Sequence, residues 1–264
     1  MSEWIEVVIL GIIEGITEFL PISSTGHLLL AEQFLSRRQS DAFLVVIQSG
    51  AVAAVLLVFK QRLRQLLFGW RRDPAARDYL VRLIAAFALT SAGGLILKAV
   101  DFELPETATP VGVALLVGGV LFVAVERWLR GRTVTEVVTW SMAVAMGLAQ
   151  LVAAVFPGTS RSGAAILITL VMGLSRSMSI EFSFLLGVPT LVAAGIVQGA
   201  SYYRHPGDEL LRADMLLLGI VVSAVTAFVA VTWLLRYVQT HTFEGFGWYR
   251  TALGVAVLLP VLLR

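Results

Sequence analysis

The 264-residue chain contains no cysteine, so neither a disulfide framework nor a thiolate metal site can be built from it. Charge is scarce too: Asp, Glu, Lys and Arg make up 14% of the residues, against about 25% in an ordinary soluble domain. That share cannot cover a water-facing surface, which excludes a soluble enzyme. The N-terminus has no basic stretch and no small-residue cleavage pattern after its first apolar run, so no removable targeting signal is expected. What the chain has in excess is apolar: 58% of its residues are hydrophobic and the mean hydropathy is +0.85. These residues gather in runs separated by short basic or Gly/Pro-rich stretches, the pattern of a polytopic helical membrane protein.

The pattern predicts an all-α integral membrane protein. Six segments read as spanning helices: 43–59, 83–97, 111–125, 182–198, 214–235 and 248–263. Two more regions, 4–35 and 140–173, are apolar but broken, the first at Pro21-Ile22-Ser23-Ser24-Thr25-Gly26-His27 and the second at Pro157-Gly158-Thr159-Ser160-Arg161-Ser162-Gly163. Broken backbone at membrane depth is tolerated only where protein buries it or a watery cavity lies against it. The two regions are related by an offset of 136, which pairs Trp4 with Trp140, Gly11 with Gly147, Pro21 with Pro157, Ser24 with Ser160, and Glu14 with Gln150. Three spanning segments follow each, so the copies lie in opposite orientations. The expected fold is one membrane domain over 1–264: an inverted-topology repeat (1–132 and 133–264) of six spanning helices and two broken re-entrant hairpins whose breaks meet near the midplane.

The basic residues orient it. On one side fall seven in 60–82 (Lys60, Arg62, Arg64, Arg71, Arg72, Arg77 and Arg82) and six in later loops (Arg127, Arg130, Arg132, Arg176, Arg236 and Arg250). The opposite side holds Arg37, Arg38, Lys98, Arg204, Arg212 and Arg264, and its 98–110 loop carries Asp101, Glu103 and Glu106. The positive-inside rule puts 60–82 in the cytoplasm and both termini outside.

Of the 18 carboxylates, Glu14 and Glu18 stand well inside an apolar run, one turn apart on one helical face. Each costs a few kcal/mol on insertion scales, which makes them functional candidates. They would serve as general acid or base, or hold a divalent cation; the bland alternative is an amphipathic entry helix whose acids face water. Ser23, Ser24 and Thr25 precede a helix starting near His27, and a helix N-terminus attracts anions. Capping accounts for one of the three hydroxyls. In the second break Arg161 stands between Ser160 and Ser162, where its forked donors suit a phosphate or carboxylate, or would pair with Glu14 or Glu18. His27 shares its segment with these groups, whereas His205 and His241 read as loop residues. Gly11 and Gly15 form a GxxxG pattern for close helix packing.

With these residues assembled, the chain resembles the undecaprenyl-pyrophosphate phosphatase family linked to bacitracin resistance. Glu14-Gly15-Ile16-Thr17-Glu18 is similar to that family's (Glu/Gln)-xxx-Glu motif, and Pro21 to His27 to the segment after it. Pro157-Gly158-Thr159-Ser160-Arg161-Ser162 resembles its Pro-Gly-x-Ser-Arg-Ser motif; the family continues x-x-Thr, and here Ala165 stands at that threonine. The likeness runs over nearly the whole length. It implies hydrolysis of undecaprenyl pyrophosphate to undecaprenyl phosphate and inorganic phosphate, recycling the lipid carrier of peptidoglycan synthesis. It also implies a multi-pass protein of the bacterial cytoplasmic (inner) membrane, a site opening to the outer, periplasmic side, and use of a divalent cation, Mg²⁺ or Ca²⁺, held loosely by Glu14 and Glu18.

The expected catalytic residues are Glu18, Ser24, His27 and Arg161, with Glu14, Ser23, Thr25, Ser160 and Ser162 binding substrate. Ser24 is the candidate nucleophile with His27 or Glu18 as base, Ser23 and Thr25 being weaker candidates; direct attack by water is the alternative. The expected partners are the polyprenyl pyrophosphate and membrane lipids, with no nucleic acid; a homodimer is compatible with the pattern. The rival function is a secondary transporter or polyprenyl-phosphate flippase using the same midplane site.

Overall fold

The computed structural model describes residues 2–32, 35, 40–100, 107–204 and 212–262. Arg37, Arg38, Asp101, Glu103, Glu106, His205 and Arg264 lie outside the described residues, as does the side chain of Arg204. Eleven helices are present among the described residues: α1 (Glu3–Thr17), α2 (Ser24–Glu32), α3 (Asp41–Val58), α4 (Lys60–Gly69), α5 (Pro74–Ala99), α6 (Ala108–Trp128), α7 (Trp140–Val155), α8 (Arg161–Val171), α9 (Arg176–Arg204), α10 (Ala213–Tyr237) and α11 (Glu244–Leu262). The chain is an all-α integral membrane protein.

Each of the six expected spans falls on a helix over its described residues. Four helices, α5, α6, α9 and α10, are long and apolar enough to cross a membrane, and α3 with α4 counts as a fifth, bent by 71° at Phe59. The sixth expected span is covered by the 19 residues of α11. Two boundaries differ from the sequence reading. The 60–82 stretch is not an open loop but α4 followed by the first turns of α5, which Asp73 caps by accepting from the Ala75 N–H at 2.9 Å, with Pro74 pre-setting the entry. And α11 begins at Glu244, so Arg250 stands almost two turns inside a helix instead of in the preceding loop.

The broken regions fold as helix pairs, α1 with α2 and α7 with α8. At 15, 9, 16 and 11 residues, these helices fall short of the roughly 20 needed to span. The packing follows a two-fold pattern: α1 lies on α10, and α7 lies on α5; α6 packs on α11, and α3 on α9. Glycine makes the α1–α10 approach possible. A Cβ added at Gly15 would overlap Thr226 Oγ1 and Ser223 O, and one at Gly11 would stand 3.0 Å from Val222. The GxxxG pattern therefore marks helix packing, as read from the sequence.

At one end of the molecule the helices are tied by cross-element ion pairs. Arg62 Nε reaches Glu181 at 2.8 Å, Arg130 Nη2 reaches Glu244 at 2.6 Å, and Arg176 Nε reaches the buried Glu126 at 2.9 Å. Thr135 bridges to Leu174 at the same end.

Candidate functional site

The first break follows from local sequence. The helix α1 ends as Pro21 approaches, since proline can neither donate to nor pack within a helix interior. Ser23 takes a positive φ of 72°, and its Oγ accepts from the Gly26 N–H at 3.3 Å, which makes it the cap of α2. At the end of α1, Glu14 is fully buried, and neither of its carboxyl oxygens has a hydrogen-bond partner among the described residues. Glu18, one turn on, has two: Ser24 Oγ donates to Oε2 at 2.7 Å, and Arg161 Nη2 donates to Oε1 at 2.8 Å. Glu6 is buried as well, so α1 is not an entry helix whose acids face water.

The second break repeats the device. Ser160 has a φ of 68°, and its Oγ caps α8 by accepting from the Gly163 N–H at 3.1 Å. The two strained caps are thus Ser23 and Ser160, an offset of 137. After the prolines the second break is one residue longer, so Ser24 is the counterpart of Arg161 and not, as the constant offset predicted, of Ser160. Arg161 is held by three groups besides its own helix: Glu18, the Gly187 carbonyl at 3.3 Å and Thr190 Oγ1 at 3.1 Å. Both acceptors besides Glu18 lie on α9 beside Pro189, which interrupts that helix's own ladder. Ser162 Oγ crosses to the first break, donating to the Leu20 carbonyl at 3.1 Å, and lies 3.2 Å from Ser160 Oγ.

The structure brings together Glu18, Ser24 and Arg161, with Glu14 one turn behind. It places other expected residues differently. Ser23, Ser160 and Ser162 are buried and committed to caps and to the link between breaks, whereas Thr25 is exposed. His27 turns away from Ser24. Its Nδ1 lies 2.7 Å from the Ser23 carbonyl, and its Nε2 lies 2.7 Å from the Tyr249 hydroxyl, with the two rings stacked at 5.6 Å. A carbonyl only accepts, so Nδ1 carries the proton; in the neutral ring Nε2 then accepts from Tyr249. Of the two bases expected for Ser24, Glu18 is the one in reach.

Sequence reasoning missed Arg250. Counted among the cytoplasmic loop cations, it is 1% exposed and sits between the breaks. Nη1 donates to the Pro21 carbonyl at 3.1 Å; Nη2 donates to the Thr159 carbonyl at 2.9 Å and to those of Gly158 and Ala114 at 3.3 Å. No carboxylate pairs with it among the described residues. The available signal was the glycine stripe: Gly112 and Gly119 on α6 interlock with Gly254 and Gly247 on α11, a spacing of seven on each, and so mark a close helix pair around Arg250. Tyr249, its neighbour, was missed for the same reason.

Beside Tyr249 opens a groove of about 750 Å³ between α1, α10 and α11, lined by Ile16, Leu20, Ile22, Val229, Trp233 and Phe246 among others. Thr226 is its main polar feature away from the tyrosines. Among the described residues no cluster of three or more acidic or histidine side chains could hold a metal by itself. Glu14 nevertheless keeps two buried carboxyl oxygens without partners, the donor chemistry a hard cation takes.

Residues 7–256 match the family model described as Bacitracin resistance protein BacA. The chain is similar to the undecaprenyl-diphosphatase of Rhizobium johnstonii, at 48% identity over 259 residues that cover 97% of this chain and 96% of that protein. It is 47% identical over 257 residues to that of Rhizobium etli, with the same coverage, and 46% identical over 260 residues to that of Xanthomonas euvesicatoria pv. vesicatoria, covering 98% and 97%.

Proposed function

The chain belongs to the bacitracin resistance protein BacA family, and from that membership we infer that it hydrolyses undecaprenyl diphosphate to undecaprenyl phosphate and inorganic phosphate. The observation that carries the chemistry is the chain of contacts Ser24–Glu18–Arg161 across the two breaks. Ser24 Oγ attacks the terminal phosphorus in line with the bridging oxygen, and its proton passes to Glu18 Oε2. The bond to the bridging oxygen breaks, undecaprenyl phosphate leaves, and the phosphate stays on Ser24 until water releases it.

Arg161 links binding to this step. In the free protein its Nη2 is engaged with Glu18 Oε1. A diphosphate offers the guanidinium a second, more highly charged partner in the same cavity. Once Arg161 turns to the phosphate, Glu18 is left free to take the serine proton. The first two N–H groups of α2 and of α8, ahead of those that the serine caps take, add donors for an anion at the helix starts. A divalent cation, Mg²⁺ or Ca²⁺, would be held by Glu14 and Glu18 with the substrate's phosphates, and would neutralise charge on the transferred group. The isoprenoid tail lies in the apolar groove that starts at Ile22 and Tyr249. Family membership supports placing the protein in the bacterial inner membrane with the site opening to the periplasmic side, and the basic residues of Lys60–Arg82 support putting that stretch in the cytoplasm.

Quenching purified enzyme with labelled undecaprenyl diphosphate tests the mechanism. Phosphoserine at position 24 is the expected product, and Ser24→Ala should form none and turn over at a small fraction of the wild-type rate. Full activity in Ser24→Ala would eliminate covalent catalysis.

A further inference from the structure

Arg250 has no place in the chemistry just described, and its setting is unlike that of the other arginines. It is buried, pairs with no carboxylate among the described residues, and uses its guanidinium on backbone carbonyls of both breaks at once. Pro21, on one side, is three residues before Ser24; Thr159, on the other, is two before Arg161. Between each anchor and its functional residue stands a serine at positive φ. Such a conformation persists only where the surroundings over-determine it. A third fixed point comes from α6, where the Ala114 carbonyl accepts from Nη2 and Gly118 leaves room for the head group. Holding α11 to its neighbours would not require a cation, because apolar packing of the same volume does that without the cost of burying a charge. A planar fork that reaches several carbonyls in different directions is what an arginine adds.

We propose that Arg250 is a positioning residue for phosphoryl transfer: by pinning the carbonyls of Pro21, Gly158 and Thr159 it sets Ser24 and Arg161 against the same phosphate. The effect passes through backbone. Each carbonyl turned toward Arg250 fixes the peptide plane it belongs to, and with it the following residue's direction. Among the described residues the guanidinium makes no hydrogen bond or ion pair with Ser24, Glu18 or Arg161, so it acts through the backbone it holds. The proposal rests on the hydrolase reading.

Its test uses purified full-length protein, phosphate release from undecaprenyl diphosphate and thermal melting in the same detergent. A lysine ammonium keeps the charge but cannot span the carbonyls. Arg250→Lys should therefore leave a folded protein in which kcat and kcat/KM fall together by about 100-fold, the order of loss for a displacement near 1 Å. In an Arg161→Lys background the same change should lose most of its effect, because its consequence runs through the position of that side chain. Gly118→Ala supplies an independent probe should Arg250→Lys fail to fold. Its new Cβ would overlap Nη2 and stand 2.8 Å from Cζ, displacing the guanidinium while improving the helix. It should lower kcat with the melting midpoint kept. Wild-type kcat in Arg250→Lys or Gly118→Ala, or fully additive losses with Arg161→Lys, would overturn the proposal. A wild-type protein that releases no phosphate would instead overturn the hydrolase reading itself.

Discussion

Few side chains in this protein are both polar and buried, and those few divide by partner. Arg161 and Glu18 face each other across two parts of the chain 143 residues apart. Glu14 has no hydrogen-bond partner among the described residues, and Arg250 hydrogen-bonds to carbonyls only. Arg161→Lys should keep the charge near Glu18 yet lose the fork that grips a phosphate and two α9 acceptors together. Turnover should fall by more than tenfold with the fold retained, since a bidentate charge-assisted contact is lost; wild-type phosphate release would mean that the arginine only ties the halves together. The residues of the chain Ser24–Glu18–Arg161 were legible in the sequence because each breaks a local rule: an acid in an apolar run, a hydroxyl cluster after a proline, a cation between two hydrophobic segments. Arg250 breaks no such rule, since it falls at the end of the 236–250 stretch that reads as a loop. Its depth is set by how α11 packs on α6, which no local pattern states.

At the level of elements, the breaks are helix caps put to another use. The existence and place of both were legible from Pro21 and Pro157. The register between them was not, because one extra residue before Ser160 shifts the correspondence, and only backbone conformation reveals it. Ser23 and Ser160 adopt φ values that glycine takes without penalty, at a cost of about 1–3 kcal/mol each for serine. Ser160→Gly relieves that cost and gives up a side-chain cap worth only a few tenths of a kcal/mol against glycine. The melting midpoint should rise while kcat falls, as the loop before Arg161 gains freedom. A lowered midpoint would show that the serine conformation is not strained. Spans were read more easily than surface helices: α4, short and basic, resembles a loop in composition, and only its packing on α5 shows it as helix.

For the molecule as a whole, the lack of cysteine is useful, because single cysteines can be added without background. In intact cells a membrane-impermeant maleimide should label a cysteine at Thr107 and reach one at Trp70 only after permeabilisation. The reverse pattern would invert the assigned orientation. The two halves interlock instead of sitting side by side: α1 lies on α10 of the second half, and α7 on α5 of the first. Neither half could carry the proposed site alone, since Ser24 and Glu18 come from one and Arg161 and Arg250 from the other.

The groove beside Tyr249 is bounded by residues that are themselves open to the surroundings, such as Val225, Val229 and Trp233. A substrate entering that way arrives by lateral diffusion in two dimensions. Its effective concentration is then its mole fraction in the membrane or micelle, not its amount per volume. Adding detergent at constant substrate should slow turnover by surface dilution, and rates compared between preparations are meaningful only when that fraction is held fixed.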